Sequence, residues 1–171
     1  MSTESGPLQP EMGLPDNSPE AIARRLARFE IRESSIQGRG AFAIDAYGAQ
    51  EPVVQYRGEQ VDIAEGKRRM EQGNPFVFRL GADAFLDGDI PDNPAKYLNH
   101  CCDPNCFAST IDGEIWLITK RAIQPGEELT FDYGYELTDA GLPPCRCGAP
   151  NCFRFILAET LRWPMPPPLE G

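Results

Sequence analysis

Apolar and polar positions alternate over short stretches along most of the chain, and glycine or proline turns separate these stretches. Short alternating or continuously apolar runs are typical of β-strands rather than of helices. In chain order the runs are FEIRES, GAFAI, PVVQYRG, FVFRL, AFLD, EIWLITKRAI and LTFDYGY. Helices do not alternate regularly with them, so a doubly wound α/β fold is not expected. The pattern predicts a mainly β domain with few short helices.

Two segments carry helix signals instead. SPEAIARRLARF begins with a serine N-cap and a proline at the first helical position, and Ile22, Leu26 and Phe29 have the spacing of one apolar helix face. In DIAEGKRRMEQG, Asp62 and Glu65 have capping-box spacing, and a glycine follows the last turn. We therefore predict one short helix near the N-terminus and a second one between the third and fourth strand runs.

The overall composition is that of one globular domain. The chain has 171 residues, of which 41% are hydrophobic and 25% are charged. No apolar run is long enough to span a bilayer, and the N-terminus lacks the basic and apolar regions of a secretory signal. We therefore expect an intracellular protein with reduced thiols. Its compartment would be the cytoplasm of a prokaryote, which the Ala, Gly, Pro and Arg content slightly favours, or the nucleus of a eukaryote.

The net charge of −10 changes the expected partners. Direct nucleic-acid binding relies on Lys and Arg side chains that neutralise phosphates, so it is not expected. An acidic surface suits a basic, lysine-rich protein or peptide, although the charge can also serve solubility alone. No membrane association is expected, and the sequence does not indicate an oligomeric state.

The cysteines form two groups. CRCGAPNC places three thiols as C-x-C-x4-C, a spacing that lets all of them turn onto one small ion. Three thiolates and a fourth would make a closed, structural tetrahedral zinc site, whereas three unrelated reduced thiols are the alternative. The fourth ligand would come from YLNHCCDPNC, which contains the remaining cysteines, Cys101, Cys102 and Cys106.

A nucleophilic cysteine is a weaker interpretation of the second group. His100 is the only histidine of the chain and directly precedes Cys101. Cys–His catalysis needs an imidazole that faces the thiol, but the side chains of sequence neighbours diverge on an extended chain. Cys–His catalysis is therefore not favoured.

Five motifs in order resemble those of the SET-domain protein lysine methyltransferases. GRGAFA (38–43) resembles the family's cofactor-loop G-x-G motif, and QYRGE (55–59) resembles its E-Y-x-G-E strand. YLNHCCDPNC (97–106) is similar to R-F-x-N-H-S-C-x-P-N, GEELTFDYGY (126–135) to G-E-E-L-T-x-D-Y, and CRCGAPNC to the post-SET C-x-C-x4-C. The similarity runs from about residue 29 to 158, without a cysteine-rich pre-SET region. It implies several small sheets with a knot-like C-terminal crossing.

The resemblance also implies roles for individual residues. Tyr133 would be the catalytic tyrosine. The residues expected to bind S-adenosylmethionine are Gly38, Arg39, Gly40, Asn99, His100, Tyr133, Phe155 and Ile156. The residues expected to line the channel for the substrate lysine are Phe76, Tyr97 and Phe131. One structural zinc ion would be held by Cys102, Cys145, Cys147 and Cys152.

Some positions depart from the family's usual residues. Lys96 and Tyr97 stand where arginine and phenylalanine are usual, Phe76 where many relatives have tyrosine, and Cys101 where serine is usual. Asp132 is expected to be structural, because a strand neighbour of the catalytic tyrosine points to the opposite face. The aromatic residues that core packing explains best are Phe42, Phe78, Phe85 and Trp116.

Composition and resemblance together divide the chain into five parts. We expect a disordered lead-in over residues 1–17, a short helix over 18–28 and the SET domain over 29–140. A zinc-stapled post-SET segment would follow over 141–158, and a proline-rich, disordered tail over 159–171.

The resulting hypothesis is an S-adenosylmethionine-dependent protein-lysine N-methyltransferase that acts on a basic, histone-like or ribosomal segment. Phenylalanine at position 131 implies di- or trimethylation, because it offers no hydroxyl that could hold the partly methylated amine. Two other hypotheses stay open. The chain could be a catalytically silent SET-like module that binds basic peptides, or a zinc-stapled interaction domain with no cofactor pocket.

Overall fold

The computed structural model describes residues 13–136 and 142–162. Most of the predicted lead-in (1–12) and most of the predicted tail (163–171) lie outside the described residues. The helices are α1 (Pro19–Leu26) and α2 (Ile63–Glu71), with 3-10 turns at Pro94–Tyr97 and Glu159–Leu161. The strands are β1 (Phe29–Glu33), β2 (Arg39–Ala43), β3 (Pro52–Tyr56), β4 (Glu59–Asp62), β5 (Val77–Leu80), β6 (Ala84–Asp87), β7 (Asn99–His100), β8 (Cys106–Ile111), β9 (Glu114–Thr119) and β10 (Glu128–Phe131). The predicted mainly β class with few short helices is confirmed.

The strands form three small sheets over the described ranges. Their orders are β1-β2-β10-β7, β3-β9-β8 and β4-β6-β5. Most neighbouring strands are antiparallel, but β7 runs parallel to β10 and pairs Asn99 with Thr130 and His100 with Phe131. This pairing joins two motifs that are far apart in sequence. The knot-like crossing that the resemblance implies stays a prediction.

The core lies where the sheets meet. Tyr56, Phe78, Leu117 and Phe131, from four different strands, are buried in one apolar cluster. The aromatic residues assigned to core packing are all buried, namely Phe42, Phe78, Phe85 and Trp116. Among the described residues, no helix has the length and apolar character needed to cross a bilayer.

Both helices begin where the capping pattern predicts, but two details differ. The Ser18 side chain accepts a hydrogen bond from the Ala21 N–H at 3.3 Å. The expected apolar face of α1 is wrong, because Leu26 is 39% exposed and Phe29 is buried as the first residue of β1. Asp62 accepts from the Glu65 N–H at 2.8 Å, which caps α2. The Glu65 carboxylate does not return to the cap, since it binds arginines in the next turn of the helix.

The last predicted strand is shorter than its apolar pattern suggests. β10 ends at Phe131, and Gly134 has a φ of +63°, a left-handed conformation that suits glycine. The chain therefore turns directly after the strand. As a result, Asp132 and Tyr133 leave the sheet instead of alternating across it, and the reasoning that put Asp132 on an opposite strand face is wrong.

Candidate functional site

A cavity of about 520 Å³ lies beside the parallel β7–β10 pair. Its size is that of a small-molecule site. One wall is the loop before β2 and the other is the cysteine-rich segment, with His100 between them. The lining residues are Ser34, Ser35, Ile36, Gln37, Gly38, His100, Pro143, Pro144, Cys145, Arg146 and Ile156. Of the residues predicted to bind S-adenosylmethionine, this cavity therefore brings together Gly38, His100 and Ile156.

Asn99 holds the loop that forms one cavity wall. Its side-chain amide lies within hydrogen-bond distance of the Gln37 carbonyl (3.2 Å), the Arg39 carbonyl (3.1 Å) and the Glu128 carboxylate (2.8 Å). The Glu128 carboxylate also accepts from the Ser34 hydroxyl at 2.8 Å. These contacts bind the loop to β7 and β10. The contribution of Asn99 to the cavity is thus to shape it through the loop backbone.

Gly40 is needed because the backbone passes close to Glu128. A Cβ atom at Gly40 would lie 2.2 Å from the Glu128 carboxylate oxygen and would force this carboxylate away from Ser34 and Asn99. Glu128 was not among the predicted site residues, although it is the second acidic residue of the GEEL motif. Its partners, Ser34 and Asn99, are 94 and 29 residues away, and local sequence patterns do not reveal such contacts.

Tyr133 lies beside His100, which lines the cavity, and packs against the main core. Its hydroxyl donates to the Leu98 carbonyl at 3.2 Å, and its backbone N–H donates to the His100 Nδ1 at 3.2 Å. Burial raises the pKa of the Tyr133 phenol, so the hydroxyl stays protonated at neutral pH. Since its hydrogen points at the Leu98 carbonyl, the oxygen keeps its lone pairs available as acceptors.

A row of five aromatic rings runs through this region. Successive ring centroids are 5.3, 6.3, 5.0 and 5.9 Å apart. The rings belong to Tyr56, Phe78, Phe131, Tyr133 and Tyr135. Only Phe131 and Tyr133 were predicted as site residues. The row supplies a dry, π-rich environment in which an ammonium is poorly solvated by water.

The other two predicted channel residues are not members of this row, although the Tyr56 hydroxyl donates to the Phe76 carbonyl at 2.9 Å. Phe76 and Tyr97 are both next to Lys96, whose Nζ is 5.6 Å from one ring centroid and 5.7 Å from the other. Arg39 covers the Tyr97 ring at 5.0 Å. The Lys96 ammonium also donates to the Ile90 carbonyl at 3.1 Å. The structure thus groups Phe76 and Tyr97 around a cation, and their place in a lysine channel stays a prediction.

Four cysteines form a compact cluster at the cavity's outer wall. Their Sγ atoms all lie within 4.8 Å of one another, and the residues are Cys102, Cys145, Cys147 and Cys152. Four sulfurs that each lie about 2.3 Å from one tetrahedral zinc ion are about 3.8 Å apart. The Cys102 and Cys145 sulfurs are 3.7 Å apart, which fits this geometry. The four thiols could therefore bind one zinc ion.

The cluster sulfurs accept backbone hydrogen bonds, although burial raises the pKa of the Cys102 and Cys145 thiols. Backbone N–H groups of Cys102, Phe153 and Arg154 each donate to a cluster sulfur at 3.4 Å. Such bonds favour the charged form of sulfur. Cys106 is fully buried in the main core and Cys101 is outside the cluster of four, so the structure selects Cys102 from the three candidates left open by spacing.

His100 connects the cysteine cluster to Tyr133. Burial, together with the positive charge of Arg162, lowers the His100 pKa to about 4, so the ring is neutral near pH 7. Its Nδ1 accepts from the Tyr133 N–H, so the proton is on Nε2, which lies 3.6 Å from the Cys102 Sγ. The imidazole therefore donates to the thiol instead of activating it, which agrees with a structural role for Cys102.

Comparison with known proteins identifies this arrangement. The family model of the SET domain matches residues 38–134, which is more than half of the chain. The chain belongs to the SET-domain family. The match begins at Gly38, the last residue of the cavity loop, and includes Asn99, His100 and the strand that leads to Tyr133.

Curated proteins that are similar to this SET domain are much longer. "Histone-lysine N-methyltransferase set1" of Dictyostelium discoideum is 33% identical over 142 residues, which are 77% of this chain and 10% of that protein. "Histone-lysine N-methyltransferase, H3 lysine-4 specific" of Mycosarcoma maydis is 38% identical over 147 residues, with 79% and 10% covered. The chain thus spans about a tenth of the length of these relatives.

A solved structure has the same fold. The crystal structure of KRYPTONITE in complex with mCHG DNA and SAH superposes with a TM-score of 0.64 at 26% sequence identity. The superposition covers 75% of this chain and 28% of that chain. The predicted SET fold is therefore confirmed, whereas the post-SET assignment and the absence of a pre-SET region stay predictions.

Proposed function

We propose that this SET domain is an S-adenosylmethionine-dependent protein-lysine N-methyltransferase. The observation that carries the proposal is the position of the cavity. The cavity is lined by His100, and the His100 ring centroid is 5.4 Å from that of Tyr133, a member of the aromatic row. A methyl donor in the cavity and an amine among the aromatic rings would thus face each other near the Tyr133 hydroxyl. The relatives named as histone-lysine methyltransferases and the SAH-bound neighbour support the same reaction.

The cavity loop and the cysteine-rich segment would together enclose the cofactor. We assign cofactor binding to the residues predicted from the sequence, Gly38, Arg39, Gly40, Asn99, His100, Tyr133, Phe155 and Ile156. Asn99 and Gly40 would act by shaping the loop, and Ile156 by closing the wall formed with Cys145. Phe155 is 47% exposed, so it would cover the mouth rather than the interior.

The reaction needs no strong acid and no catalytic metal. S-adenosylmethionine supplies a methyl group on a positively charged sulfur, and the lysine nitrogen forms a bond to this carbon as the carbon–sulfur bond breaks. A free lysine has a pKa of about 10.4, so the amine must first lose a proton. The dry aromatic row disfavours the ammonium and thereby lowers its pKa. The Tyr133 oxygen, with its hydrogen on the Leu98 carbonyl, would orient the amine as an acceptor.

The cysteine cluster would have a structural role. A site with four protein thiolates leaves no open position for a substrate or for water. We propose that one zinc ion held by the four cysteines stabilises the segment that covers the cofactor cavity. This assignment makes residues 141–158 a post-SET segment that follows a SET domain over 29–140.

The substrate is proposed to be a basic, lysine-rich protein segment of the histone type. Two observations support this: the relatives' names and the net charge of −10. Phe131 is 1% exposed and packs on Tyr133, which supports di- or trimethylation. The relatives named above are from eukaryotes, so they give no support to the prokaryotic cytoplasm; a nuclear location follows if the host is eukaryotic.

The test is transfer of labelled methyl from S-adenosylmethionine to core histones and other basic proteins, with Tyr133→Phe run beside the wild type. We expect labelling by the wild type and a loss of at least about 100-fold in the variant. Cofactor binding is measured separately by calorimetry. Binding without transfer to any protein would indicate the silent peptide-binding module instead, and no cofactor binding would refute the proposal.

A further inference from the structure

Arg162 contacts three separate parts of the site with one side chain. Its Nη2 lies 2.5 Å from the Asp132 carboxylate. Its Nη1 donates to the Cys102 carbonyl at 2.8 Å, and its Nε donates to the Leu157 carbonyl at 2.8 Å. The planar guanidinium thereby joins the residue before Tyr133, a member of the cysteine cluster and the C-terminal segment itself.

The pair between Arg162 and Asp132 is buried. Only 11% of the Arg162 side chain and 8% of the Asp132 side chain are exposed. The Asp132 carboxylate also accepts from the backbone N–H groups of Gly134 at 2.9 Å and Glu159 at 2.8 Å. Both charges are therefore paired and hydrogen-bonded, and these interactions offset the cost of removing the two charges from water.

The segment that Arg162 fixes forms part of the cavity wall. We call residues 155–162 the strap. Ile156 lines the cavity and packs on Cys102 and Cys145, and the Ala158 N–H donates to the Tyr135 carbonyl at 2.8 Å. The strap lies outside the residues matched by the SET family model, and Arg162 also lies beyond residue 158, where the motif resemblance ends.

We propose that Arg162 is a positioning residue that locks the strap over the cofactor cavity by its pairing with Asp132 and the Cys102 carbonyl. This inference rests on the proposed function and adds a residue that controls cofactor affinity. Without the lock, the strap would cover the cavity for only a fraction of the time. The apparent cofactor affinity falls in proportion to that fraction.

Three variants test the lock. Arg162→Gln removes the charge, and Arg162→Lys keeps the charge but not the planar fork that reaches three acceptors. Arg121→Gln is the matched control, because it removes another arginine–carboxylate pair, with Glu127 at 2.7 Å, that lies outside the strap and in which the arginine side chain is 57% exposed. Each variant is assayed for S-adenosylmethionine binding by calorimetry, for KM and kcat, for zinc content and for Tm.

We expect Arg162→Gln to raise the Kd and the KM for S-adenosylmethionine about 10-fold or more, with kcat at saturating cofactor within about 3-fold of the wild type. Arg162→Lys is expected to show an intermediate rise with full zinc content. Arg121→Gln should match the wild type. A merely structural role would instead lower zinc content and Tm in both Arg162 variants, and would overturn the inference.

A double variant tests the pairing itself. If Arg162 acts through Asp132, the double variant Asp132→Asn/Arg162→Gln should bind the cofactor about as weakly as Arg162→Gln alone. If Asp132→Asn and Arg162→Gln each weaken cofactor binding and the double variant weakens it by the product of the two factors, the two residues act independently and the proposed lock is contradicted. Wild-type protein that fails to bind S-adenosylmethionine would refute the proposed function. If the wild type binds S-adenosylmethionine and Arg162→Gln changes the Kd by less than about 2-fold, only the proposed lock is refuted.

Discussion

Replacement of Cys145 by serine should remove the metal and the order of the segment around it. The cluster has four sulfurs, and the Cys145 Sγ is 3.7 Å from that of Cys102. Serine offers a neutral hydroxyl in place of a thiolate and is a much poorer zinc ligand. The variant therefore tests whether the cysteine cluster holds an ion, independently of any catalytic activity.

The expected size of the Cys145→Ser effect follows from how few other interactions stabilise residues 142–158. Ordering the roughly 17 residues from 142 to 158 costs about 17 kcal/mol of backbone entropy at about 1 kcal/mol each. Backbone hydrogen bonds, such as those from the Cys145 N–H to the Arg154 carbonyl and from the Ile156 N–H to the Pro143 carbonyl, stabilise the ordered segment by about 4 kcal/mol. Burial of Ile156 and Leu157, which are 7% and 1% exposed, returns about 4 kcal/mol more.

The remaining deficit of about 9 kcal/mol is close to what a structural zinc ion supplies, about 10–16 kcal/mol. Loss of one thiolate in four should weaken zinc binding by about 3–4 kcal/mol, which is about 10²–10³-fold in affinity. The free energy of ordering then rises to about zero, so the segment would be disordered about half of the time. The cavity would lose the wall that Cys145 and Ile156 form.

Three measurements report this loss. Metal analysis should give about one zinc per wild-type chain and much less in Cys145→Ser after dialysis. Hydrogen exchange should show the amides of residues 142–158 losing protection, and methyl transfer should fall with cofactor binding. Cys101→Ser is the matched control, because Cys101 is 9% exposed and lies outside the cluster of four. It should keep zinc and activity.

Two outcomes would refute this reasoning. A Cys145→Ser protein that is free of metal and fully active would show that the segment orders itself without an ion. A Cys101→Ser protein that loses zinc as completely as Cys145→Ser would show that the cluster uses other ligands than the four grouped in the structure.

Phe131→Tyr should shift the product toward monomethyl-lysine, because the added hydroxyl would hold the partly methylated amine. Mass spectrometry under excess S-adenosylmethionine measures the product, and a wild type that itself stops at monomethyl-lysine would contradict this prediction. Asp87→Asn should destabilise the fold by about 2 kcal/mol at pH 7 because it weakens the charge-assisted hydrogen bonds that the buried Asp87 carboxylate accepts from Arg69 and Asn74. Burial opposes ionisation of Asp87, but hydrogen bonds from Asp89, Arg69 and Asn74 hold its pKa below the ordinary value. The difference in unfolding free energy between the wild type and Asp87→Asn, measured in urea, should therefore shrink as the pH falls below about 4. A difference that does not change with pH would contradict this prediction.

Much of the fold could be predicted because the signals are local. The seven predicted strand runs overlap β1, β2, β3, β5, β6, β9 and β10. The strands missed, β4, β7 and β8, carry a weak alternating pattern. β7 has only two residues, and its polar pair Asn99–His100 becomes a strand only through its parallel partner β10. A strand that depends on a distant partner has no period of its own to detect.

The candidate site also has features that the sequence predicts and features that only the tertiary structure shows. The C-x-C-x4-C spacing alone indicated a metal cluster, and motif resemblance indicated Tyr133, His100 and the glycine loop. Which cysteine completes the cluster was left open by spacing alone, and the tertiary structure favours Cys102 by bringing its sulfur to that of Cys145, 43 positions away in the sequence.

The sequence by itself determined the strand-rich class, the helix starts and the residues proposed to carry the chemistry, because each of these depends on neighbours a few positions apart. The tertiary structure decided that Tyr56 and Phe78 join Phe131 in one aromatic row, that Glu128 holds the cavity loop, and that Arg162 pairs with Asp132 and the Cys102 carbonyl. Those contacts join segments that are far apart along the chain. Their geometry exists only after the sheets have paired, so no local period or spacing can encode it.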